Sequence, residues 1–94
     1  MPVQVELLTA NGCGACQRAR ALLAEVIGEL DDPRLEYREL DLVAEIDYAV
    51  QLGVTASPAV AVDGQLLPPA FFTRKKLRAA IAARLESLHR ETHR

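Results

Sequence analysis

Apolar positions recur along this chain with two different periods, and each period predicts a different kind of element. Residues 3–8 begin with apolar and polar residues in alternation and end apolar, which predicts a central β-strand. From Cys16 to Leu30 the apolar residues recur every three or four positions, as on a helix with one buried face. The run 31–33, Asp-Asp-Pro, predicts the end of that helix.

The middle of the chain predicts a second strand and a second helix. Residues 35–40 form the strand, and Asp41 is a candidate cap for the helix that follows. Gly53 stands where a helix commonly ends. The predicted apolar face of this helix consists of Val43, Ile46, Ala49 and Val50.

The last third predicts a β-hairpin and a closing helix. Residues 59–62 read as a third strand, and Asp63-Gly64 predicts a tight turn into an antiparallel strand over residues 65–67. Thr73 is a candidate cap for the last helix. Its predicted buried face consists of Leu77, Ile81, Leu85 and Leu88.

The element order is therefore βαβαββα, which indicates an α/β domain. A right-handed crossover makes the first two strands parallel, and the hairpin must join the same sheet. We expect a four-stranded mixed sheet with helices on both faces. Residues 1–88 are the predicted domain and residues 89–94 a polar C-terminal tail.

Composition narrows the function classes. Ninety-four residues make one domain, and a formal net charge of −2 gives no reason to expect nucleic acid or a membrane as partner. No stretch reaches the roughly 18 apolar residues of a membrane span, and the first residues lack the pattern of a signal peptide. We therefore expect a cytoplasmic protein.

The candidate chemistry lies in Cys13-Gly14-Ala15-Cys16, which follows the first strand and opens the first helix. Two cysteines at this spacing can close a small disulfide or hold a soft metal. Unpaired N–H groups and the helix dipole favour a thiolate at this end of a helix, so we expect the pKa of the Cys13 thiol to lie below about 8.5. In a reducing compartment such a pair indicates catalysis or metal binding rather than a structural disulfide.

The sequence resembles the thioredoxin-fold superfamily, in particular its small thioredoxin- and glutaredoxin-like members. The resemblance rests on the Cys-Gly-Ala-Cys motif, on residues 54–60 around Ser57-Pro58, and on the Asp63-Gly64 turn. It departs from thioredoxins at Gly12 and Ala15, where those proteins usually have Trp and Pro. It also places Leu7 where they have a buried carboxylate. The resemblance implies a thioredoxin-like α/β fold.

The resemblance also implies roles for the site residues. Cys13 is the attacking thiol, Cys16 the resolving thiol, and Pro58 a cis proline that faces them. The backbone of Ser57 pairs with the substrate chain, and Gly14 and Ala15 complete the substrate surface. The implied activity is thiol–disulfide oxidoreduction without a cofactor or metal. The implied partners are a disulfide-containing protein and a reductase or thiol pool, with the protein itself a monomer.

Two other functions remain open at this stage. The same cysteines fit a soft-metal carrier or one half of a bridged iron–sulfur cluster, for which a second molecule must supply further ligands. The fold also serves as a non-catalytic interaction module. The element order speaks only against a small copper carrier, because copper carriers with this motif have two consecutive strands after the first helix.

Overall fold

The computed structural model describes residues 2–92, and the side chains of residues 2–88. The strands are β1 (Val3–Thr9), β2 (Leu35–Asp41), β3 (Ala59–Val62) and β4 (Gln65–Leu66). The helices are α1 (Gly14–Leu30), α2 (Ile46–Leu52) and α3 (Arg74–Thr92), with one 3₁₀ turn at Pro69–Phe71. The predicted βαβαββα order is confirmed, and the 3₁₀ turn is an addition that the sequence did not indicate.

The four strands form one mixed sheet in the order β2-β1-β3-β4. Strand β1 pairs in parallel with β2, from Val3 opposite Leu35 to Thr9 opposite Asp41, and antiparallel with β3. Strand β4 returns antiparallel along β3. The central position predicted for the first strand is therefore confirmed, as is the parallel pairing of the first two strands.

Helices cover both faces of the sheet, because successive side chains of a strand point to opposite faces. Val3, Val5 and Leu7 of β1 face α1 and α3, where the larger apolar core lies. Leu8 faces the other way, into a smaller core with Ala49 of α2 and Ala59. The predicted buried face of α3, namely Leu77, Ile81, Leu85 and Leu88, is confirmed in full.

Turn and cap residues hold the places that the sequence indicates. Gly53 ends α2 in the left-handed region at φ 89°, and its N–H donates to Ala49 and Val50. Asp63 and Gly64 both have positive φ, 48° and 79°, as a two-residue hairpin requires. The Thr73 hydroxyl accepts a 3.3 Å hydrogen bond from the Lys76 N–H at the start of α3.

The predicted apolar face of α2 is wrong. Only Ala49 of its four members is buried, while Val43, Ile46 and Val50 are exposed by 71%, 48% and 68%. The helix begins at Ile46 rather than near Val43, and the apolar residues that pack on the smaller core include Leu42 and Leu52. Because Val43 precedes the helix, a helical period that is counted from Val43 selects residues on the exposed side of α2.

The start of α2 differs from the prediction. The Asp41 carboxylate accepts a hydrogen bond from Val43 N–H and so caps a turn that precedes α2, instead of the helix itself. The backbone of α3 continues to Thr92, past the predicted domain end at residue 88, whereas residues 93–94 of the predicted tail lie outside the described residues. In residues 2–92, no helix is both long and apolar enough to cross a membrane.

Candidate functional site

The two cysteines lie at the carboxyl end of β1, where α1 begins. Cys13 is the cap residue of α1 and has extended backbone angles, because the chain turns at Asn11-Gly12 to enter the helix. Cys16 lies in the first helical turn. A disulfide joins the two sulfurs at 2.00 Å, with the Cα atoms 5.4 Å apart. The structure is therefore the oxidised form of the pair.

The two sulfurs have unequal access to solvent. Cys13 is half-buried, whereas Cys16 is only 4% exposed because it lies on the buried face of α1. Gly14 and Ala15 between them are exposed. An approaching reactant can therefore reach Cys13 more easily than Cys16.

A hollow of about 520 Å³ opens on one flank of the disulfide. We call it the Cys13 hollow; its lining includes Asn11, Cys13, Gly14, Gln17, Arg20 and Asp41. The Arg20 side chain, which crosses from α1 to β2, donates a 2.8 Å hydrogen bond from Nε to Glu39 Oε2. This hydrogen bond lowers the pKa of Glu39 and raises that of Arg20.

A groove of about 280 Å³ opens on the other flank. We call it the Pro58 groove; it is lined by Ala15, Arg18, Ala19, Leu22, Pro58 and Phe72. The Ser57–Pro58 peptide bond is cis. The groove thus joins the Cys-Gly-Ala-Cys motif, the side of α1 that carries Arg18 and Leu22, the loop before β3 and Phe72.

The sequence-derived site residues fall into two groups in the structure. Gly14 lies with the cysteines on the Cys13 hollow, while Ala15 and Pro58 meet in the Pro58 groove. Ser57 is half-buried and lines neither cavity. No backbone hydrogen bond links Ser57 to the rest of the described chain, which leaves its N–H and carbonyl available to a ligand.

Sequence reasoning missed Phe72 and Arg18 as groove residues. Phe72 directly follows the 3₁₀ turn, and that turn brings it against the larger core and beside Pro58. The sequence showed only two aromatic residues after a Pro-Pro pair, with no periodicity to say which one turns inward. The sequence favours a solvated helix residue at Arg18 over a residue that acts on the thiolate or on an acidic partner, and it does not indicate that Arg18 shares a groove with Phe72.

A buried carboxylate was also missed. Glu6 is 2% exposed and faces α2, where its carboxylate accepts hydrogen bonds from the Tyr48 hydroxyl and from Arg38 Nε, the latter at 2.7 Å. The hydrogen bond to Glu6 raises the pKa of Tyr48, because the carboxylate accepts a hydrogen bond from the protonated phenol and so stabilises that form. The signal was present in the sequence as one acidic residue inside an apolar strand. Leu7, at the thioredoxin carboxylate position, is fully buried and apolar.

Known proteins resemble this chain in both sequence and structure. No protein-family model matches it. Two sequences named "Probable Thioredoxin", from Methanothermobacter thermautotrophicus and Methanothermobacter marburgensis, are each 27% identical over 86 residues, covering 92% of this chain and all of theirs. The crystal structure of oxidised mitochondrial thioredoxin 3 from Saccharomyces cerevisiae superposes with a TM-score of 0.69 at 25% identity, over 86% of this chain and 77% of that one.

The structural likeness agrees with the architecture described above, in which the cysteine pair lies at the start of α1. The protein is therefore a thioredoxin-fold protein with a Cys-x-x-Cys disulfide at its candidate site, and it resembles two sequences named probable thioredoxins.

Proposed function

We propose that this protein is a thiol–disulfide oxidoreductase that reduces disulfides of other proteins through Cys13 and Cys16. The observation that carries the proposal is the disulfide at the start of α1, with one sulfur accessible and the other buried behind it. The relatedness to thioredoxins supports the same activity. The free backbone groups of Ser57, next to Pro58, support docking of an extended chain beside it.

The reaction takes place in two exchanges. The Cys13 thiolate attacks one sulfur of the substrate disulfide; that bond breaks, the departing sulfur takes a proton, and a mixed disulfide forms. The Cys16 thiolate then attacks Cys13 Sγ and releases the second substrate sulfur, which also takes a proton. The substrate gains two electrons and two protons, and the protein is left with the disulfide seen in the structure.

The position of Cys13 provides the activation that this step needs. As the cap residue of a 17-residue helix, it lies beside the unpaired N–H groups of the first turn. Those groups and the helix dipole stabilise a thiolate over a thiol. The buried Cys16 needs no access to the substrate, because its target is the sulfur of Cys13.

The electron donor and the compartment follow from the same chemistry. A reductase or a thiol pool must return the pair to the dithiol, and the cytoplasm is the compartment in which such reductants are abundant. We propose that the chain acts there as a monomer, with Ser57, Pro58, Gly14 and Ala15 contacting the substrate. A reduced substrate leaves once Cys16 has closed the disulfide.

Two measurements test the proposal. Equilibration in dithiothreitol and glutathione buffers should give one two-electron transition, within the range of roughly −120 to −270 mV that this class of protein spans. Cys16→Ser should accumulate a mixed disulfide with a disulfide peptide, and the matched Cys13→Ser variant should accumulate none.

Other results would contradict the proposal. Absence of a reversible intramolecular disulfide, or a metal retained through gel filtration with both cysteines protected from alkylation, would favour a metal carrier. Reversible oxidation without any reduction of a disulfide peptide would favour an interaction module.

A further inference from the structure

We propose that the Pro58 groove selects substrate segments that carry an apolar side chain next to the reactive cysteine and a carboxylate beyond it, and that Arg18 binds the carboxylate. This inference rests on the proposed function, since it names the class of disulfide that the Cys13–Cys16 pair prefers. Its occupant is an extended segment of another protein, bound beside the disulfide.

Arg18 differs from the other described arginines in its ion pairing. Among the seven arginines whose side chains the structure describes, six are ion-paired with carboxylates: Arg20, Arg34, Arg38, Arg74, Arg78 and Arg84. Arg18 is exposed and has no such partner within the described part of the chain. It is the unpaired cation nearest in sequence to the cysteines.

The sequence of α1 explains why Arg18 stays unpaired. Side chains three and four positions apart are neighbours on a helix, and here those positions hold Gly14, Ala15, Ala21 and Leu22. None of them carries a charge. The carboxylates further along α1, Glu25 and Glu29, are bound by Arg74 of α3, with a 2.9 Å contact from Arg74 Nε to Glu25 Oε1. Since no carboxylate among the described residues pairs with Arg18, a carboxylate of a bound molecule can take that place.

The rest of the groove is apolar. Ala15, Ala19, Leu22, Pro58 and Phe72 provide its remaining walls, so a polar side chain placed there would lose hydrogen bonds to water. Its volume of about 280 Å³ lies just below the usual range for small-molecule pockets, roughly 300–1,000 Å³, and it is open to solvent. A side chain of a bound peptide fits these dimensions better than a separate organic ligand.

The groove is also in the right place for a substrate chain. Ala15 lies between the two cysteines in sequence, and Pro58 follows the free backbone groups of Ser57. A chain that pairs with Ser57 while its sulfur meets Cys13 would pass the mouth of the groove. Its neighbouring side chain would enter among Pro58 and Phe72, and the next would reach Arg18 at the rim.

The test uses three capped peptides, each linked through its single cysteine to 2-mercaptoethanol as a mixed disulfide. The first has Leu on both sides of the cysteine and Glu beyond each Leu. The second replaces Glu with Lys, and the third replaces Leu with Ser. Flanking the cysteine symmetrically makes the result independent of the direction in which the peptide binds. Hydroxyethyl disulfide serves as the substrate without a peptide.

The dithiothreitol-reduced protein is mixed with each substrate at low ionic strength, and the second-order rate constants are compared. We expect the ratio of the Glu to the Lys peptide to fall about two- to fivefold in Arg18→Gln, the size of one solvent-exposed ion pair. Salt should lower the ratio of the unsubstituted protein in the same direction. Comparing variants of one protein cancels the intrinsic reactivities of the peptides.

Matched controls separate the groove from general charge and from general stability. Arg20→Gln removes an equal charge from α1 on the opposite flank of the disulfide and should leave the Glu-to-Lys ratio as it is. Phe72→Ala should lower the ratio of the Leu to the Ser peptide, while Phe71→Ala, whose ring does not line the groove, should not. Circular dichroism checks that each variant is folded. If Phe72→Ala is unfolded, Arg18→Gln by itself tests the proposal.

The outcomes are distinguishable. Equal peptide ratios in Arg18→Gln and the unsubstituted protein, or an equal fall in Arg20→Gln, would overturn the role of Arg18. A Leu-to-Ser ratio near one would overturn the apolar requirement. If neither the peptides nor hydroxyethyl disulfide are reduced, the proposed oxidoreductase function itself fails, and groove selectivity has no reaction to act on.

Discussion

At the residue scale, the Glu6 carboxylate is a buried polar group held by hydrogen bonds from two other elements. A charged group that is 2% exposed loses its hydration on folding, and the lost interactions must be replaced inside the protein. Tyr48 from α2 and Arg38 from β2 provide that replacement. Arg38 also lies over the Tyr48 ring, with its Cζ atom 5.9 Å from the ring centroid. Three elements therefore meet at one carboxylate.

Tyr48→Phe should lower the free energy of unfolding by about 1–3 kcal/mol, because it removes a hydrogen bond from a buried charged acceptor and leaves the ring in place. The measurement is urea-induced unfolding of the oxidised protein followed by circular dichroism. Tyr37→Phe is the matched control, since the Tyr37 hydroxyl has no hydrogen bond within the described residues and its loss should change stability by less than about 0.5 kcal/mol. Equal effects of the two changes would refute this account of Glu6.

At the element scale, α2 and α3 differ in how they bind the sheet. Helix α3 buries a regular stripe of large apolar residues against the larger core. Helix α2 has only seven residues and buries Ala49, with Leu52 partly buried and Tyr48 tied to Glu6. Its orientation is therefore set by one small residue and one polar contact, and two of its largest apolar side chains, Ile46 and Val50, point to solvent.

This difference predicts unequal losses of stability for two side-chain truncations, one in α3 and one in α2. Ile81→Ala should lower the free energy of unfolding by about 2–5 kcal/mol, because it leaves a cavity in the core. Val50→Ala should change it by less than about 0.5 kcal/mol, because the side chain is 68% exposed. Urea-induced unfolding measures both. A loss above about 1 kcal/mol for Val50→Ala would mean that this residue belongs to the packed side of α2.

At the scale of the whole molecule, the two ends of the sheet have different tasks. One end carries the disulfide, the Cys13 hollow and the Pro58 groove. The opposite end carries the connection from α1 to β2, where the Asp32 carboxylate accepts hydrogen bonds from the Arg34 N–H at 2.9 Å and from Arg34 Nη2 at 2.8 Å. Arg34 also donates to the Leu85 carbonyl of α3, so this end joins three elements.

The Asp32 contacts predict a pH-dependent stability. The hydrogen bonds from Arg34 lower the pKa of Asp32 from 3.8 to about 2. A carboxyl with a depressed pKa in the folded state stabilises the fold above its unfolded pKa, and that stabilisation is lost as pH falls toward the folded value. The stability difference between the unsubstituted protein and Asp32→Asn should therefore shrink as pH decreases from 5 to 2.

Thermal unfolding at a series of pH values measures this effect. Asp31→Asn is the matched control for removing one negative charge, because the Asp31 side chain has no partner in the described part of the chain and Asn also tolerates its left-handed backbone. A difference for Asp32→Asn that is constant or grows toward pH 2 would contradict the assigned role of Arg34. Because the connection lies far from the disulfide, Asp32→Asn should leave the rates of disulfide exchange unchanged.

The elements, the turns and the cysteine pair could be predicted from the sequence. The element order, the hairpin at Asp63-Gly64 and the cap at Gly53 could be predicted because alternation, periodicity and positive φ depend on residues close together in the chain. The buried stripe of α3 could be predicted for the same reason, since its four members recur every three or four residues along the helix. The cysteine pair was identified because its spacing and its place at the start of a helix are both local.

What only the tertiary structure decided concerns residues distant in sequence. The rotation of α2 about its axis depends on the hydrogen bond from Tyr48 to Glu6, which lies 42 positions earlier in the chain. The pattern of apolar residues along the helix does not indicate that contact. The Pro58 groove likewise exists only because the chain brings Ala15, Pro58 and Phe72 together from three separate segments. The sequence by itself determined the elements and the reactive pair, because these depend on local periodicity and spacing. The folded chain decided which faces are buried and what lies beside the sulfurs, because these depend on contacts between elements.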